Sequence, residues 1–239
     1  MTNHWVDLKN SDCVFVIGCN PAENHPVSIT WIHAAMENGA QLLVVDPRFT
    51  RTASKASLYA PMRSGTDITF LGGMISYILE RELYHREYVV SFTDAAALVN
   101  PQYRGPAELN GLFSGFDADK KIYNRATWSY QTGAGGEPLR DESLQDPNCV
   151  LQLLKRHYAR YTPEMVERVT GCPKEVFLAV TKALTENSGR DRTSAWCYAV
   201  GWTHHTTGVQ MIRAAALLQA LLGNIGRPGG GVLALRGHC

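Results

Sequence analysis

Cys13-Val-Phe-Val-Ile17 is a continuous run of apolar residues that ends at Gly18-Cys-Asn-Pro21. Unbroken apolar runs of this length are typical of a parallel strand that is buried on both faces. Residues 27–38 then have apolar side chains at helical spacing and end at Gly39, and Leu42-Leu-Val-Val45 is a second buried run. This stretch predicts one strand–helix–strand unit with a right-handed crossover.

The rest of the chain continues this alternation of strands and helices. Helices are predicted over residues 50–57, 68–83, 149–158, from 163, from 173 to about 185, and 209–222, with an extended segment at 58–62 and a third strand at 194–200. The predicted fold is therefore a doubly wound, mainly parallel α/β sheet of the Rossmann-like type. The ligand of such a fold binds beyond the carboxyl ends of the strands.

Regular patterning fails between residues 93 and 148. Residues 93–147 contain four prolines and six glycines with little periodicity, which predicts loops and short elements packed on the domain rather than one bare loop. We therefore expect one α/β domain over residues 1–239 that carries an irregular insertion at 93–148.

Composition and charge exclude several classes of protein. Apolar residues make up 45% of the chain and charged residues 19%, which excludes disordered, collagen-like and coiled-coil proteins. The 23 Lys and Arg residues balance the 22 Asp and Glu residues, and there is no basic run, so nucleic acid and membrane surfaces are disfavoured as partners. No stretch predicts a transmembrane helix, and the six cysteines are not spaced as a zinc site.

Unusual residues follow each of the three predicted strands. These segments are Gly18-Cys-Asn-Pro-Ala-Glu23, Asp46-Pro-Arg48 and Gly201-Trp-Thr-His204. Because the carboxyl ends of parallel strands line one crevice, we expect the three segments to face one ligand. Small residues allow backbone N–H groups to approach a diphosphate, and a carboxylate after the second strand suits a ribose hydroxyl.

Simpler interpretations of these residues remain open. The nicotinamide fingerprint GxGxxG is absent, and Asp46 lies 28 positions after Gly18 rather than about 20, which disfavours an NAD-linked dehydrogenase. Gly18 and Asn20 are also compatible with a plain tight turn. Asp46 and Arg48 are also compatible with a helix cap and a surface ion pair.

Two further groups have alternative roles. Gly65-Thr-Asp67 precedes an apolar helix, so Thr66 and Asp67 are either helix-capping residues or, for Asp67, an acceptor for the N1 and N2 edge of a guanine. His204 and His205 are adjacent, and in a strand they would point to opposite faces, so one is expected to pack and the other to face the ligand.

Together these segments resemble the molybdopterin oxidoreductases. The segments are Gly18–Pro26, Val44-Val-Asp-Pro-Arg-Phe-Thr-Arg-Thr52, Gly65-Thr-Asp67, Gly201-Trp-Thr203, Gly223-Asn-Ile-Gly226 and Leu235-Arg-Gly-His238. The resemblance runs from Met1 to His238, and its order and spacing are similar to the catalytic subunits of formate dehydrogenases. Residues 112–130 resemble an insertion found in the respiratory, periplasm-facing members.

The resemblance implies a domain that binds one of two molybdopterin guanine dinucleotides, which together hold molybdenum or tungsten. On that match Asn20, Glu23, Asp46, Arg48, Gly65 and Asp67 hold the nucleotide, with Gly18, Thr66 and Gly201 in the same cofactor-binding set, and Thr203, His204 and His238 approach the pterin. Arg236 matches the active-site arginine of the family, and a planar guanidinium suits the carboxylate of formate. No residue of this chain is implied as a metal ligand.

The resemblance also implies what the chain works with. In the family an iron–sulfur segment and a selenocysteine or cysteine metal ligand precede the part that corresponds to Met1, so we expect this chain to be an internal part of a larger catalytic subunit. Expected partners are the rest of that subunit, an iron–sulfur electron-transfer subunit, a cytochrome subunit as a further option, and formate. Anaerobic respiration in the periplasm is the expected setting, with the cytoplasm as the alternative. Another member of the family, such as a nitrate reductase, and a nucleotide-binding module without chemistry of its own are the competing functions.

Overall fold

The computed structural model describes residues 1–235, so Arg236 and His238, two of the predicted site residues, lie outside the described residues. The chain forms two compact units. The first, unit 1, contains residues 1–88 and the chain from Arg160 onward, and the second, unit 2, is Val89–Ala159. Unit 2 contains all of the segment 93–148, whose assignment as an insertion stays a prediction, as does the single domain over residues 1–239.

Unit 1 is built on a five-stranded parallel sheet. Its strands are β1 (Cys13–Ile17), β2 (Gln41–Val45), β3 (Leu58–Ala60), β6 (Ser194–Tyr198) and β7 (Gly231–Ala234), in the order β3-β2-β1-β6-β7. The sequence order reverses at β1, between β2 on one side and β6 on the other, which is the switch point where doubly wound sheets bind ligands. The predicted α/β class with a parallel sheet is confirmed.

The central position of β1 in the sheet explains why its apolar run is unbroken. All five residues of β1 are buried, and its register places Val14 opposite Leu42 of β2 and opposite Ala195 of β6. Helix α7 (Lys174–Glu186) packs against β1 and β2, and helix α2 (Pro26–Glu37) packs against β2. A polar side chain on either face of β1 would therefore be buried away from water. Burial of each large apolar side chain instead stabilises the fold by about 1.5–3 kcal/mol.

Helices surround the sheet of unit 1. They are α1 (Pro21–Asn24), α2 (Pro26–Glu37), α3 (Asp67–Glu80), α6 (Pro163–Thr170), α7 (Lys174–Glu186), α8 (Val200–Thr203) and α9 (Gly208–Leu221), with 3₁₀ helices at Trp5–Asn10 and Ala53–Lys55. Helix α4 (Arg86–Phe92) begins in unit 1 and ends in unit 2. Helix α3 contacts α6, α7 and α9, which fixes the position of its first residue, Asp67.

Several predicted elements need correction. The third strand ends at Tyr198 rather than at residue 200, and the next residues turn into the short helix α8. The helix predicted over 50–57 is only one 3₁₀ turn, Ala53–Lys55, because the backbone becomes extended at Ala56, whose N–H donates to the Ala53 carbonyl. The helix predicted over 68–83 ends at Glu80, and the chain then turns at Glu82, whose φ of 55° is incompatible with a helix.

Unit 2 is mostly loops. Its regular elements are the hairpin strands β4 (Phe116–Asp117) and β5 (Ile122–Tyr123), the helix α5 (Val150–Tyr158) and the end of α4. Isolated antiparallel bridges, such as Val99 with Tyr130, connect the loops. Among residues 1–235 no helix combines the length and the apolar character that a membrane crossing requires.

Candidate functional site

A cleft of about 460 Å³ lies in unit 1 where β1, β2 and β6 end. The loops after the three strands and the start of α3 line it. Among its polar lining residues are Asn20, Asp46, Arg48, Asp67 and His205. This volume is within the range of small-molecule sites, about 300–1,000 Å³, and the position at the switch point is where an α/β sheet binds its ligand.

The loops after β1 and β6 are in direct contact at Gly18 and Gly201. A Cβ on Gly201 would lie 2.5 Å from the backbone oxygen of Gly18, and a Cβ on Gly18 would lie 2.6 Å from the Trp202 ring. Gly18 also has a φ of 64°, in the left-handed region. The two glycines are therefore required by the approach of one loop to the other, which brings two strand ends to one wall of the cleft.

Asn20 is anchored by the protein itself. Its Oδ1 accepts a hydrogen bond from Thr52 Oγ1 at 2.7 Å, and its Nδ2 donates to Glu23. Thr52 is fully buried, and its Oγ1 also accepts from Ala22 N at 3.1 Å. Because its hydroxyl bonds residues on both sides of Pro21, Thr52 holds the turn after β1 in place.

Asp46 follows β2 at the opposite wall. Its Oδ1 accepts from the Arg48 backbone N–H at 2.8 Å, and the Tyr59 hydroxyl donates to its carbonyl oxygen at 2.9 Å. Partial burial raises the pKa of Asp46; the Arg48 backbone N–H and guanidinium lower it, and the charge of Asp67 raises it. No helix begins at residues 46–49 of the described chain, so the helix-cap alternative for Asp46 is wrong.

Asp67 is the first residue of α3 and has only 6% of its surface exposed. Its Oδ1 accepts a hydrogen bond from the Trp202 indole Nε1–H at 2.8 Å. Thr66 occupies the N-cap position without a capping bond, because its hydroxyl donates to the Arg63 carbonyl instead. In the described structure the capping alternative is therefore wrong for Thr66, and the carboxylate of Asp67 bonds a residue that is distant in sequence.

Burial raises the pKa of the Asp67 carboxyl, whereas the Trp202 hydrogen bond and the nearby His205 lower it. The charge of Asp67 also raises the pKa of Asp46, so the two carboxylates oppose each other across the cleft. A ligand that donates hydrogen bonds or carries positive charge would relieve this opposition. The cleft is thus built to receive hydrogen-bond donors at its two carboxylates.

Other predicted site residues lie elsewhere. Thr203 and His204 are exposed and do not line this cleft, and His205 lines it instead. Glu23 bonds Asn20 and pairs with Arg51 at 3.3 Å, and Gly65 and Thr66 also lie outside the lining. His204 and His205 follow helix α8 and do not lie in a strand, and His205 is the one of the pair that lines the cleft.

Sequence reasoning missed two residues that shape the cleft, Thr52 and Trp202, and left open which of His204 and His205 faces it. Both residues lie inside a segment that follows a strand, so their proximity to a strand end is the sequence signal that could have found them. Their roles depend on contacts across the chain, such as the 135 residues that separate Asp67 from Trp202.

The five described cysteines are all buried and free. Cys19 lines the cleft, and its Sγ lies 3.4 Å from the Cys197 carbonyl oxygen. Burial raises the pKa of Cys197 to about 12 and that of Cys19 well above its ordinary value. These thiols are therefore protonated at neutral pH, and residues 1–235 contain no cluster of His, Cys, Asp and Glu that could hold a metal ion.

Comparison with known proteins gives a consistent result. A family model described as molybdopterin oxidoreductase matches residues 1–237. The nitrate-inducible formate dehydrogenase major subunit of Escherichia coli is 53% identical over 239 residues, and the formate dehydrogenase subunit alpha of Megalodesulfovibrio gigas is 50% identical over 238. Each match covers 100% of this chain and 23% of the relative.

A solved structure has the same fold. Acetylene hydratase from Pelobacter acetylenicus superposes with a TM-score of 0.56 at 21% identity, covering 92% of this chain and 24% of that one. The chain thus spans about a quarter of the length of the proteins it matches.

Proposed function

The chain belongs to the molybdopterin oxidoreductase family, and from this membership we propose that it is part of a formate dehydrogenase catalytic subunit and binds one molybdopterin guanine dinucleotide. The family implies a molybdopterin cofactor that carries molybdenum or tungsten. The identities of 53% and 50% with formate dehydrogenase subunits support formate as the substrate. The observation that carries the proposal is the cleft where Asn20, Asp46, Arg48 and Asp67 meet.

The polar groups of the cleft suit the nucleotide end of that cofactor. Guanine presents N–H donors on its N1 and N2 edge, and the buried carboxylate of Asp67 is an acceptor with two oxygens. Asp46 is at the strand end where a carboxylate suits ribose hydroxyls, and the exposed guanidinium of Arg48 suits a diphosphate. The protein residues here bind and orient, and the molybdopterin group supplies the redox centre when it is bound.

Arg236 is the proposed catalytic residue. In its support, β7 runs parallel to β6 and Leu235 N donates to the Tyr198 carbonyl at 2.6 Å, so the residue that precedes Arg236 in sequence lies at the carboxyl end of the sheet, as the cleft does. A guanidinium keeps its charge and can hold the carboxylate of formate in two parallel bonds. We propose that the pterin is approached by His238 and by the exposed residues Thr203 and His204.

The remaining parts of the enzyme belong to the same proposal. The relatives are about four times as long as this chain, and we propose that their additional length corresponds to a region with an iron–sulfur cluster and a selenocysteine or cysteine metal ligand. Electrons from formate would leave through an iron–sulfur subunit, with a cytochrome subunit as a further acceptor. We propose the periplasm as the location, in keeping with the residues 112–130 that resemble periplasm-facing members.

The direct test is to identify the nucleotide and the metal. The complete subunit is purified, the cofactor is released with acid, the nucleotide is identified by mass spectrometry, and molybdenum and tungsten are measured in the same sample. We expect GMP together with one of the two metals, and a reduced nucleotide content in Asp67→Ala. Asp191→Ala, which removes an exposed carboxylate of unit 1, is the matched control. Recovery of AMP or of a nicotinamide nucleotide would refute the proposed cofactor.

The role of Arg236 is tested separately by kinetics. Arg236→Lys keeps the charge but loses the bidentate geometry, so kcat/KM for formate should fall by about 10²-fold through lost orientation. The metal and GMP contents of the variant are measured first, so that only fully loaded enzyme is compared. Unchanged kcat and KM would remove Arg236 from the mechanism and leave the nucleotide site unaffected.

A further inference from the structure

We infer that Trp202 is a positioning residue of the nucleotide cleft, whose indole N–H holds the Asp67 carboxylate as a fixed acceptor for the guanine edge. This inference rests on the proposed function and deepens it. It assigns to a buried aromatic residue a part in nucleotide recognition that the sequence segment Gly201-Trp-Thr203 does not reveal. It begins from the 2.8 Å hydrogen bond between Trp202 Nε1 and Asp67 Oδ1.

The indole of Trp202 has one available orientation. The side chain is fully buried, it stacks on Tyr198 with ring centroids 5.4 Å apart, and its centroid lies 6.2 Å from that of Trp196. Gly18 approaches the same ring so closely that a Cβ would be 2.6 Å from Trp202 Cδ1. Since packing fixes the ring, packing also fixes the direction of its N–H, and through that bond the position of Asp67 Oδ1.

The bond leaves the carboxylate able to accept further donors. An ionised carboxylate has about four acceptor positions; Trp202 uses one of them, and the backbone N–H of Asp67, which also lowers the pKa of the carboxyl, uses a second. The guanine edge needs two, one for N1–H and one for the N2 amino group. An indole N–H can donate but cannot accept, so Trp202 stabilises the ionised form of Asp67, which only accepts, against the protonated form, in which one oxygen carries an O–H donor.

Other charged groups face Asp67 and act on the same equilibrium. His205 lowers the pKa of Asp67, burial raises it, and the charges of Asp46 and Asp67 oppose each other. Removal of the Trp202 N–H should therefore raise the pKa of Asp67, because the lowering hydrogen bond is lost and the burial remains.

Trp196 provides a matched control. It is also fully buried, it stacks on Phe15 at 4.1 Å, and within the described residues its Nε1 has no hydrogen-bond partner. Trp196→Phe and Trp202→Phe thus make the same chemical change at neighbouring buried sites, and only the second removes a donor from Asp67.

The first experiment measures the coupling by NMR in the full 239-residue chain. In the wild type, the Trp202 indole N–H resonance should titrate with the same midpoint as the Asp67 carboxyl carbon, and this titration should disappear in Asp67→Asn. In Trp202→Phe the Asp67 midpoint should move to higher pH, and in Trp196→Phe it should not move. An indole resonance that ignores the Asp67 titration overturns the inference, and this arm needs no folded Trp202 variant.

The second experiment measures binding of GDP, as the probe for the guanine end, above the Asp67 midpoint. We expect Trp202→Phe to lower the affinity for GDP about tenfold, as loss of one charge-assisted contact would, and to reduce the preference for GDP over ADP. Trp196→Phe should stay within about twofold of wild type. Equal GDP affinities in both variants overturn the inference. Absence of GDP binding by the wild type instead overturns the proposed nucleotide site, while the NMR arm still reports on the coupling.

Discussion

The two walls of the cleft are built in opposite ways. The inner wall, formed by Gly18, Asn20, Asp67 and Gly201 with the buried Trp202 behind it, consists of loops in mutual contact and of side chains that hydrogen-bond other parts of the protein. The outer wall, formed by Asp46, Pro47 and Arg48, is a turn with two exposed residues. Substitutions in the inner wall should therefore change folding and binding together, and substitutions in the outer wall should change binding almost alone.

Among substitutions in the two walls, Gly201→Ala should lower the free energy of unfolding most. The new methyl group would lie 2.5 Å from the Gly18 backbone oxygen and 2.8 Å from its carbonyl carbon, and backbone atoms cannot move aside as a side chain can. We expect the free energy of unfolding to fall by about 3 kcal/mol or more, as for severe overpacking. Urea denaturation followed by far-UV circular dichroism measures it.

Gly105→Ala is the matched control for that substitution. A Cβ at Gly105 would have its nearest neighbour at 3.9 Å, and no positive φ is recorded there, so the change should stay within about 0.5 kcal/mol. If both alanine variants unfold at the same urea concentration, the contact between the two strand ends does not constrain the inner wall.

Thr52→Val tests the hydrogen bonds beneath the inner wall. The substitution keeps the shape of the side chain but leaves the Asn20 Oδ1 and the Ala22 N–H without their partner, which should cost about 1–3 kcal/mol of unfolding free energy. Thr30→Val, at an exposed position of α2, should cost less than about 0.5 kcal/mol. Equal unfolding midpoints for the two valine variants would show that Thr52 does not hold the turn after β1.

The inner wall also shows where sequence reasoning succeeds and where it stops. The strands β1 and β2 could be predicted because their unbroken apolar runs are a local signal, and the parallel order of the sheet places their ends together. The bond between Trp202 and Asp67 could not be predicted, because nothing local distinguishes this indole from any other buried aromatic residue. Strand β7 was not predicted either. It begins at Gly231, which has a φ of 99°, and glycine is typical of turns and not of strands.

Asp46→Asn tests the electrostatics of the outer wall. The pKa of Asp46 is raised in the folded protein, so the folded state holds this proton more tightly than the unfolded state and the charged form opposes folding. The variant should therefore be more stable than wild type at neutral pH. Because Asp46 is partly exposed, solvent screening limits the gain to less than about 1 kcal/mol.

The pH dependence of this stability gain tests whether the charge of Asp46 causes it. The gain should decrease as the pH falls through the raised pKa of folded Asp46, and it should vanish below the unfolded value of 3.8, where both states bind the proton. Urea denaturation at neutral pH and at about pH 3 measures the two ends of this window. A gain that is equal at both pH values would show that the charge of Asp46 is not its cause.

Arg48→Ala should have the smallest effect on folding and a clear effect on binding. The Arg48 side chain is exposed, and its backbone N–H, which bonds Asp46, is retained in alanine, so unfolding should change by less than about 0.5 kcal/mol. If its guanidinium contacts the diphosphate, GDP affinity at low salt should fall about five- to tenfold, and the difference should shrink at high salt because the interaction is screened. Lys55→Ala removes an equal charge from an exposed residue outside the cleft and should leave GDP affinity almost unchanged. If Lys55→Ala weakens GDP binding as much as Arg48→Ala does, the outer wall attracts the nucleotide through overall charge and not through a contact at Arg48.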